Sequence, residues 1–431
     1  MNNEQCTIFA QTERSSQMHL DDAEVQPKIT QKRSGCVMNN VQFTMNNEQW
    51  EKVKLGEVGK ISMCKRVFSF ETSTEGEIPF YKIGTFGKDA DAFISRQLYE
   101  EYKSKFSYPK VGDILISASG TIGRTVVYDG EPAYFQDSNI IWIDNDETIV
   151  LNQFLYYQYQ IISWNLEGST IARLYNDNFN KIEITIPDLP AQRRIAAILA
   201  SADKVIAATQ KTIAKYKQIK QGMMEDLLNE QCTMNNVQWK KVKLGECCDK
   251  ITDGCHIKPK CVAKSQFLML SSQNIKDNKL DLSDVSYLTF DDFERENHRT
   301  NIKAGDVLLT IVGTVGRTYL VKENDVNFTL QRSVAVLAPK ATLDSSFLLY
   351  TLNNLQFVLE NEAHGCAQKG IYLKQLNQLL ISIPDLAAQR RIAAILSGID
   401  AKIAAEEKVL QKYEKVKKGL MERLLEEDND E

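Results

Sequence analysis

Residues 186–228 read IPDLPAQRRIAAILASADKVIAATQKTIAKYKQIKQGMMEDLL, and residues 383–425 read IPDLAAQRRIAAILSGIDAKIAAEEKVLQKYEKVKKGLMERLL. They align without a gap, at a constant offset of 197 residues. In the first copy apolar or small residues recur at Ile195, Leu199, Ala202, Ile206, Thr209, Ile213, Tyr216, Met223 and Leu227, with Lys220 in one seam position. The second repeats the stripe at Ile392, Leu396, Ile399, Ile403, Leu410, Tyr413, Leu420 and Leu424, broken by Glu406 and Lys417. Steps of four and three in alternation give a period near 3.5, the signature of a coiled coil. Pro187 and Pro384 end the preceding apolar run, Asp188 and Asp385 are placed to cap, and Pro190 suits a first helical turn. About 40 residues at 1.5 Å each make a rod of roughly 60 Å. One such stripe reads as an ordinary core helix. Two in one register predict rods that bury their seams against each other.

Each rod follows a globular segment, and the two segments match in pieces. WEKVKLGE (50–57) and WKKVKLGE (239–246) open them. VGDILISASGTIGRTVVY (111–128) and AGDVLLTIVGTVGRTYLV (304–321) read as strand, glycine turn, strand. AYFQDSNIIWI (133–143) and NFTLQRSVAVL (327–337) are strand-like, FLYYQYQIISWNLEG (154–168) and FLLYTLNNLQFVLEN (347–361) helical. KIEITI and QLLISI are short strands that lead into the rods. The expected fold is therefore α+β: two mixed globular bodies, each followed by a long helix, with the two helices buried against each other along their seams. The expected boundaries are an irregular extension over 1–44, a first body over 45–185, helix 186–228, linker 229–238, a second body over 239–382, helix 383–425 and an acidic tail over 426–431. The words MNNEQ, MNNVQF and MNNEQW recur near the start, so Met1, Met38 and Met45 all stand as possible start residues.

Composition narrows the class. Of 431 residues, 43% are apolar and 25% charged, as in ordinary globular proteins. No apolar run approaches the ~18–20 residues of a membrane span, and the N-terminus is polar, unlike a signal peptide. A cytoplasmic protein with no membrane partner is the expectation. Nine scattered cysteines read as free thiols. The net charge of −5 does not mark a nucleic-acid binder. Residues 45–185 hold 14 Lys and Arg against 20 Asp and Glu, residues 235–382 hold 18 against 16, and the first rod 7 against 4. DNA binding therefore has to rest on a local basic face.

Catalytic patterns are sparse. Cys247, Cys248, Cys255, His256 and Cys261 cluster without a common zinc spacing. The Gly120–Gly123 turn lacks a P-loop Lys and sits between strands, so it reads as a hairpin that needs glycine. Asp385 with Asp400 and Lys402 loosely fits a nuclease word, but Lys204 is out of register in the first copy. No methyltransferase word and no Ser/His/Asp arrangement occurs. The chain reads as non-catalytic and metal-free.

The repeated IPDLxAQRRIAAIL…G(M/L)ME(D/R)LL rods, each behind a WxKVKLGE…GD(I/V)L…GT(I/V)GR body, resemble the specificity subunit of type I restriction–modification enzymes over roughly 45–428. The resemblance implies that the bodies are target-recognition domains, each reading half of a split double-stranded DNA sequence. It implies that the two long helices pair as an antiparallel coiled coil that separates the bodies, with a pseudo-twofold internal repeat, and that these rods dock methyltransferase subunits, two of them, and restriction subunits through those. S-adenosylmethionine, ATP and magnesium would then belong to the partners, and this chain would carry no cofactor. The extension over 1–44 departs from the family pattern.

Basic residues near loop tips are the candidate DNA contacts: Lys65, Arg66, Arg124 and Arg173 in the first body, Lys258, Lys260, Arg317 and Lys369 in the second. Each also reads as a surface cation that aids solubility. Arg193, Arg194, Arg390 and Arg391 sit in first helical turns, where the helix dipole disfavours cations, so a carboxylate partner or packing on the adjacent body is expected there. The competing classes are a non-DNA scaffold on a coiled coil and a self-sufficient enzyme.

Overall fold

The structure, a computed structural model, describes residues 50–164, 174, 176–229, 238–257, 259–276, 278–325, 327–364 and 369–425. The extension over 1–44, most of the linker, the acidic tail, Arg173, Lys258 and the cysteines at 6, 36, 232 and 366 lie outside the described residues.

The first body is a repeat unit of two small sheets. Strand β1 (Glu51–Lys54), a single turn α1 (Leu55–Val58) and β2 (Gly59–Ser62) open it; β3 (Ile78–Tyr81), β4 (Phe93–Ile94) and helix α2 (Arg96–Lys105) follow. Then come β5 (Ile114–Ser117), β6 (Thr125–Val127), β7 (Tyr134–Phe135), β8 (Ile140–Asn145), α3 (Asn152–Ile161), the turn α4 (Asn176–Asn180) and β9 (Glu183–Ile186). An antiparallel sheet runs β2-β8-β5-β6, and a second runs β4-β3-β7 with β3 and β7 parallel. β5 is wholly buried at its centre, which explains its unbroken apolar run. β1 pairs antiparallel with β9, so the body opens and closes at one place, where the chain enters the long helix α5 (Leu189–Leu227).

The second body repeats this order. β10 (Lys240–Lys243), α6 (Leu244–Cys247), β11 (Cys248–Asp253), β12 (Phe267–Leu270), β13 (Ile275–Lys276), β14 (Lys279–Leu280) and β15 (Ser286–Leu288) lead to helix α7 (Phe290–Thr300). β16 (Val307–Thr310), β17 (Thr318–Leu320), β18 (Phe328–Leu330), β19 (Val334–Pro339), α8 (Ser345–Asn354), α9 (Gln356–Glu362), α10 (Leu373–Gln378) and β20 (Leu380–Ile383) complete it, and α11 (Leu386–Leu424) is the second rod. Its sheets run β11-β19-β16-β17 and β15-β12-β18, and β10 pairs with β20. The β13–β14 hairpin is an addition.

The rods form as the periodicity requires. Asp188 accepts from the Ala191 N–H and Asp385 from the Ala388 N–H, both at 2.8 Å, and each helix runs 39 residues, about 58 Å. They lie antiparallel: Lys220 meets Asp400 and Lys417 meets Asp203, each at 2.7 Å. In a parallel pair with matched copies, Asp203 would face Asp400 and Lys220 would face Lys417, two like-charge contacts. Seam residues Ile195, Leu199, Thr209, Ile213, Ile392, Leu396 and Ile403 are buried. Tyr413 is not, at 38% exposed.

The two bodies sit at opposite ends of this pair. Met224 and Leu227 from the end of α5, with Ile392, Ala393 and Leu396 from the start of α11, join the core of the second body. At the other end, Gln158 of α3 donates to the Leu425 carbonyl at 3.3 Å. Each body thus packs on the beginning of its own rod and the end of the other.

Candidate nucleic-acid interface

Gln192 and Gln389, in the AQRR word of each rod, are 0% and 1% exposed. Gln192 accepts from the Leu151 N–H and donates to the carbonyls of Ile149 and Pro187 at 3.0 and 2.9 Å. Gln389 does the same with Asp344, Thr342 and Pro384. These amides are fully satisfied when buried, so they fix each helix to its own body at low cost. The adjacent Arg193, Arg194, Arg390 and Arg391 point the other way and are exposed.

A second pair of contacts locks the far side. Asp203 accepts from the Tyr157 hydroxyl at 2.9 Å while its other oxygen meets Lys417, whose Nζ lies 5.6 Å from the Tyr157 ring centre. Asp400 accepts from Tyr350 at 2.7 Å and meets Lys220, whose Nζ lies 5.4 Å from the Tyr350 ring centre. Burial first, and the neighbouring carboxylate with it, push both phenols above their ordinary value, so they remain donors. The lysines that interrupt the seam are therefore its register pins. Asp400 is committed to this contact and Asp385 to its cap, about 22 Å away along the helix, so they share no nuclease site. The motif was visible as an Asp and a Lys recurring at the same offset in both rods; their partners, Tyr157 and Tyr350, were not.

Loop tips gather at one end of each body's sheets. In the first body the glycine turn is closed by Gly123 N–H donating to Ser117 O (3.0 Å) and Ser117 N–H to Arg124 O (2.9 Å), with Gly120 and Gly123 at φ 66° and 84°. The second matches it through Gly316 to Thr310 and Thr310 to Arg317, at 2.9 and 2.8 Å. The hairpin reading of these glycines holds. Ser119 donates to Asn139 (2.8 Å) and Arg66 to Asp137 (2.8 Å), which draws loops 63–72, 118–124 and 136–139 together. In the second body Gly313 N–H donates to Lys369 O, Ser272 N–H to Ser333 Oγ and Arg332 N–H to Cys255 O. These loops surround an open cleft of ≈ 600 Å³ whose lining includes Ser272, Gln273, Thr314, Gln331 and Arg332.

The candidate cations fall into distinct places. Lys65, Arg66, Lys260 and Lys369 are exposed. Lys65 Nζ stands 5.1 Å from the Phe106 ring centre, and Arg66 is paired with Asp137. Arg124 and Arg317 are half-buried and reach back to backbone, donating to Phe86 O at 2.9 Å and Ile275 O at 3.3 Å. Arg317 lines a different cleft, of ≈ 1020 Å³, between the second body and the rods, with Lys217, Lys276, Lys279 and Glu407. Lys279 meets Glu407 at 2.7 Å, holding the β13–β14 hairpin on α11 and keeping that carboxyl below its usual range. Arg332, Gln331 and Gln273 were not singled out in the sequence, because polar residues in a loop carry no signal until the loops converge.

The cysteine cluster resolves into separate roles. Cys247 and Cys248 are buried in the second body's core, Cys255 donates to Ile257 O, and His256 pairs with Asp253 at 2.8 Å. Among the described residues no group of three or more such side chains converges on a common point. No described helix is long and apolar enough to cross a membrane.

The family pattern described as "Type I restriction modification DNA specificity domain" matches residues 47–218 and 236–415, one copy on each body and rod. The chain belongs to the type I restriction enzyme specificity subunits. A candidate specificity subunit of Haemophilus influenzae is 62% identical over 157 residues, covering 36% of this chain and 41% of that protein. The MjaVIII specificity subunit of Methanocaldococcus jannaschii is 25% identical over 401 residues, covering 88% of this chain and 92% of the relative. Among solved structures, the type I specificity subunit of M. genitalium superposes with a TM-score of 0.58 at 15% identity, over 89% of this chain and 97% of that one. A chain from a structure on complex assembly and conformational transition of a type I system gives 0.53 at 17% identity, over 89% and 100%. These specificity subunits share its fold: two α+β bodies joined by long helices.

Proposed function

We propose that this specificity subunit reads a bipartite double-stranded DNA target, one half with each body, and carries two methyltransferase subunits on its rods. The observation that carries the reading is the antiparallel rod pair, pinned by two equivalent Tyr–Asp–Lys contacts, with equivalent bodies at its ends. A duplex has its own twofold axes across its length. Two readers related by a twofold can meet it in equivalent ways, a multiple of about 34 Å apart. A stiff strut sets that spacing before binding, so no entropy is lost in finding it.

Phosphate contacts would come from exposed cations such as Lys65, Lys260 and Lys369, and base-edge contacts from polar groups such as Gln273, Gln331 and Arg332. Arg124 and Arg317 serve better as braces of their hairpins. The exposed Arg pairs at the start of each rod offer guanidinium groups to carboxylates of a docked methyltransferase. On this reading the subunit performs no chemistry. Methyl transfer from S-adenosylmethionine belongs to the docked subunits, and ATP- and magnesium-dependent restriction to subunits that join through them, in the cytoplasm.

The test is a gel shift of the subunit, alone and with the neighbouring methyltransferase, on a random duplex and on its methylated motif. The subunit alone with S-adenosylmethionine should transfer no methyl group. The complex should prefer the motif, and its affinity should fall steeply with salt. Binding that ignores both salt and sequence would refute the proposal in favour of a non-DNA scaffold.

A further inference from the structure

Loop 63–72 of the first body exposes two phenyl rings. Phe68 is 48% and Phe70 82% exposed, and they stack with centres 5.6 Å apart at 6°. Such a pair in water is unfavourable for the isolated subunit and marks an interaction surface. The loop is also held rigidly. Phe68 N–H donates to Glu71 Oε2 at 2.8 Å, the other Glu71 oxygen accepts from the Tyr102 hydroxyl at 3.1 Å, and Thr72 Oγ1 donates to Ser69 O at 2.9 Å. The rings are therefore presented, not merely left uncovered.

The surroundings choose the occupant. Lys65 lies over Phe106, itself 43% exposed, and Arg66, in the same loop, is held by Asp137. An apolar tip flanked by cations matches a nucleic acid, whose phosphates take the cations while base faces take the rings. The twin body supports this. Past the equivalent strand, in the loop between β11 and β12, Ile257 is 82% exposed, and its carbonyl accepts from the Cys255 thiol. Both bodies thus raise an apolar tip from the same loop, but with different residues.

Resting on the DNA reading above, we infer that Phe68 and Phe70 are base-contacting specificity residues that wedge into one step of the first half-site, and that Ile257 is their counterpart at the second. A wedge of this kind partly unstacks a base step, and the sequences that unstack most readily are favoured.

The experiment uses the full subunit with its methyltransferase. Methylome sequencing first defines the bipartite motif, and duplexes of it then carry 2-aminopurine at each step in turn. The wild type should raise fluorescence at one step of one half-site. The Phe68→Ala/Phe70→Ala variant should lose that rise, bind about tenfold or more weakly per ring, and methylate sites degenerate in that half only. Phe70→Trp should keep the rise, and Ile257→Ala should relax only the other half. Melting temperature and co-purification with the methyltransferase should not change; Phe70→Ala alone serves if the double variant fails to fold. An unchanged motif and fluorescence overturns the inference. So does lost co-purification with intact DNA affinity, which would assign the rings to a protein contact. A wild-type complex that binds no specific duplex would overturn the DNA reading itself.

Discussion

Reversing one charge in a register pin should weaken the whole subunit, and restoring the pair with the signs exchanged should repair it. Asp203 and Lys417 are 2.7 Å apart with side chains only 35% and 17% exposed. At 4 Å and an effective dielectric near 20, two unit charges interact by about 4 kcal/mol. Partial exposure lets the side chains swing apart, which removes much of that. Asp203→Lys also removes the acceptor of the Tyr157 hydroxyl, about 1.5–3 kcal/mol for a charged partner. Together these predict a loss of roughly 2–4 kcal/mol. At about 2.1 cal/mol/K of unfolding entropy per residue, a unit that runs from Gln49 to Glu431 shifts by roughly 1.2 °C per kcal/mol, so the melting temperature should fall by roughly 3–5 °C. Asp203→Lys/Lys417→Asp should recover more than half. Differential scanning calorimetry of the four members of the cycle gives the coupling energy, expected above about 1 kcal/mol. Additive effects, with no recovery in the exchanged pair, would mean the two residues do not face each other and would refute the antiparallel register.

Two further outcomes follow from the bodies. Gly123→Ala and Gly316→Ala both place a side chain at positive φ, but a Cβ at 123 would lie 2.3 Å from the Trp164 ring, whereas at 316 it would meet the flexible Gln356 chain at 2.8 Å. The first should therefore cost clearly more than the ~1 kcal/mol of backbone strain and the second close to it, as read from chemical denaturation. Asp113 and Asp306, from the repeated GD word, are buried, and desolvation raises both above 3.8. A raised carboxyl favours folding below its unfolded value, and that advantage is lost as pH rises through the folded value. Asp306→Asn should thus flatten the decline in stability that begins near pH 3.8 and moves upward, as a pH series of melting temperatures would show.

Much of the architecture was legible because it is periodic. The seam positions and the capping Asp188 and Asp385 are local properties, and the repeat made the symmetry visible. Tyr413 shows the limit of such reading: periodicity puts it in the seam, but at 38% exposed it is not covered there. Helices α2 and α7 are short and highly charged, with few apolar residues to set a period; Ser95 and Thr289, which cap them, are the local signals of their starts. Gln192 and Gln389 carry no burial signal of their own, because an amide is buried only when its partners arrive from a distant loop. The same holds at the candidate interface. Arg124 and Arg317 are marked by residue type alone, whereas the backbone carbonyls that their guanidinium groups reach, Phe86 O and Ile275 O, are brought in by the fold. Phe68, Phe70 and Ile257 were indistinguishable from core residues until their exposure was known.

The central claim, that the rods are a ruler between two readers, is tested most directly by length. One heptad inserted into each rod at equivalent positions near its middle adds about 10 Å, close to three base pairs at ~3.4 Å each. Methylome sequencing of cells that carry this variant should show both half-site sequences unchanged and the gap between them longer by about three base pairs. The same gap as in the wild type, with methylation intact, would contradict it.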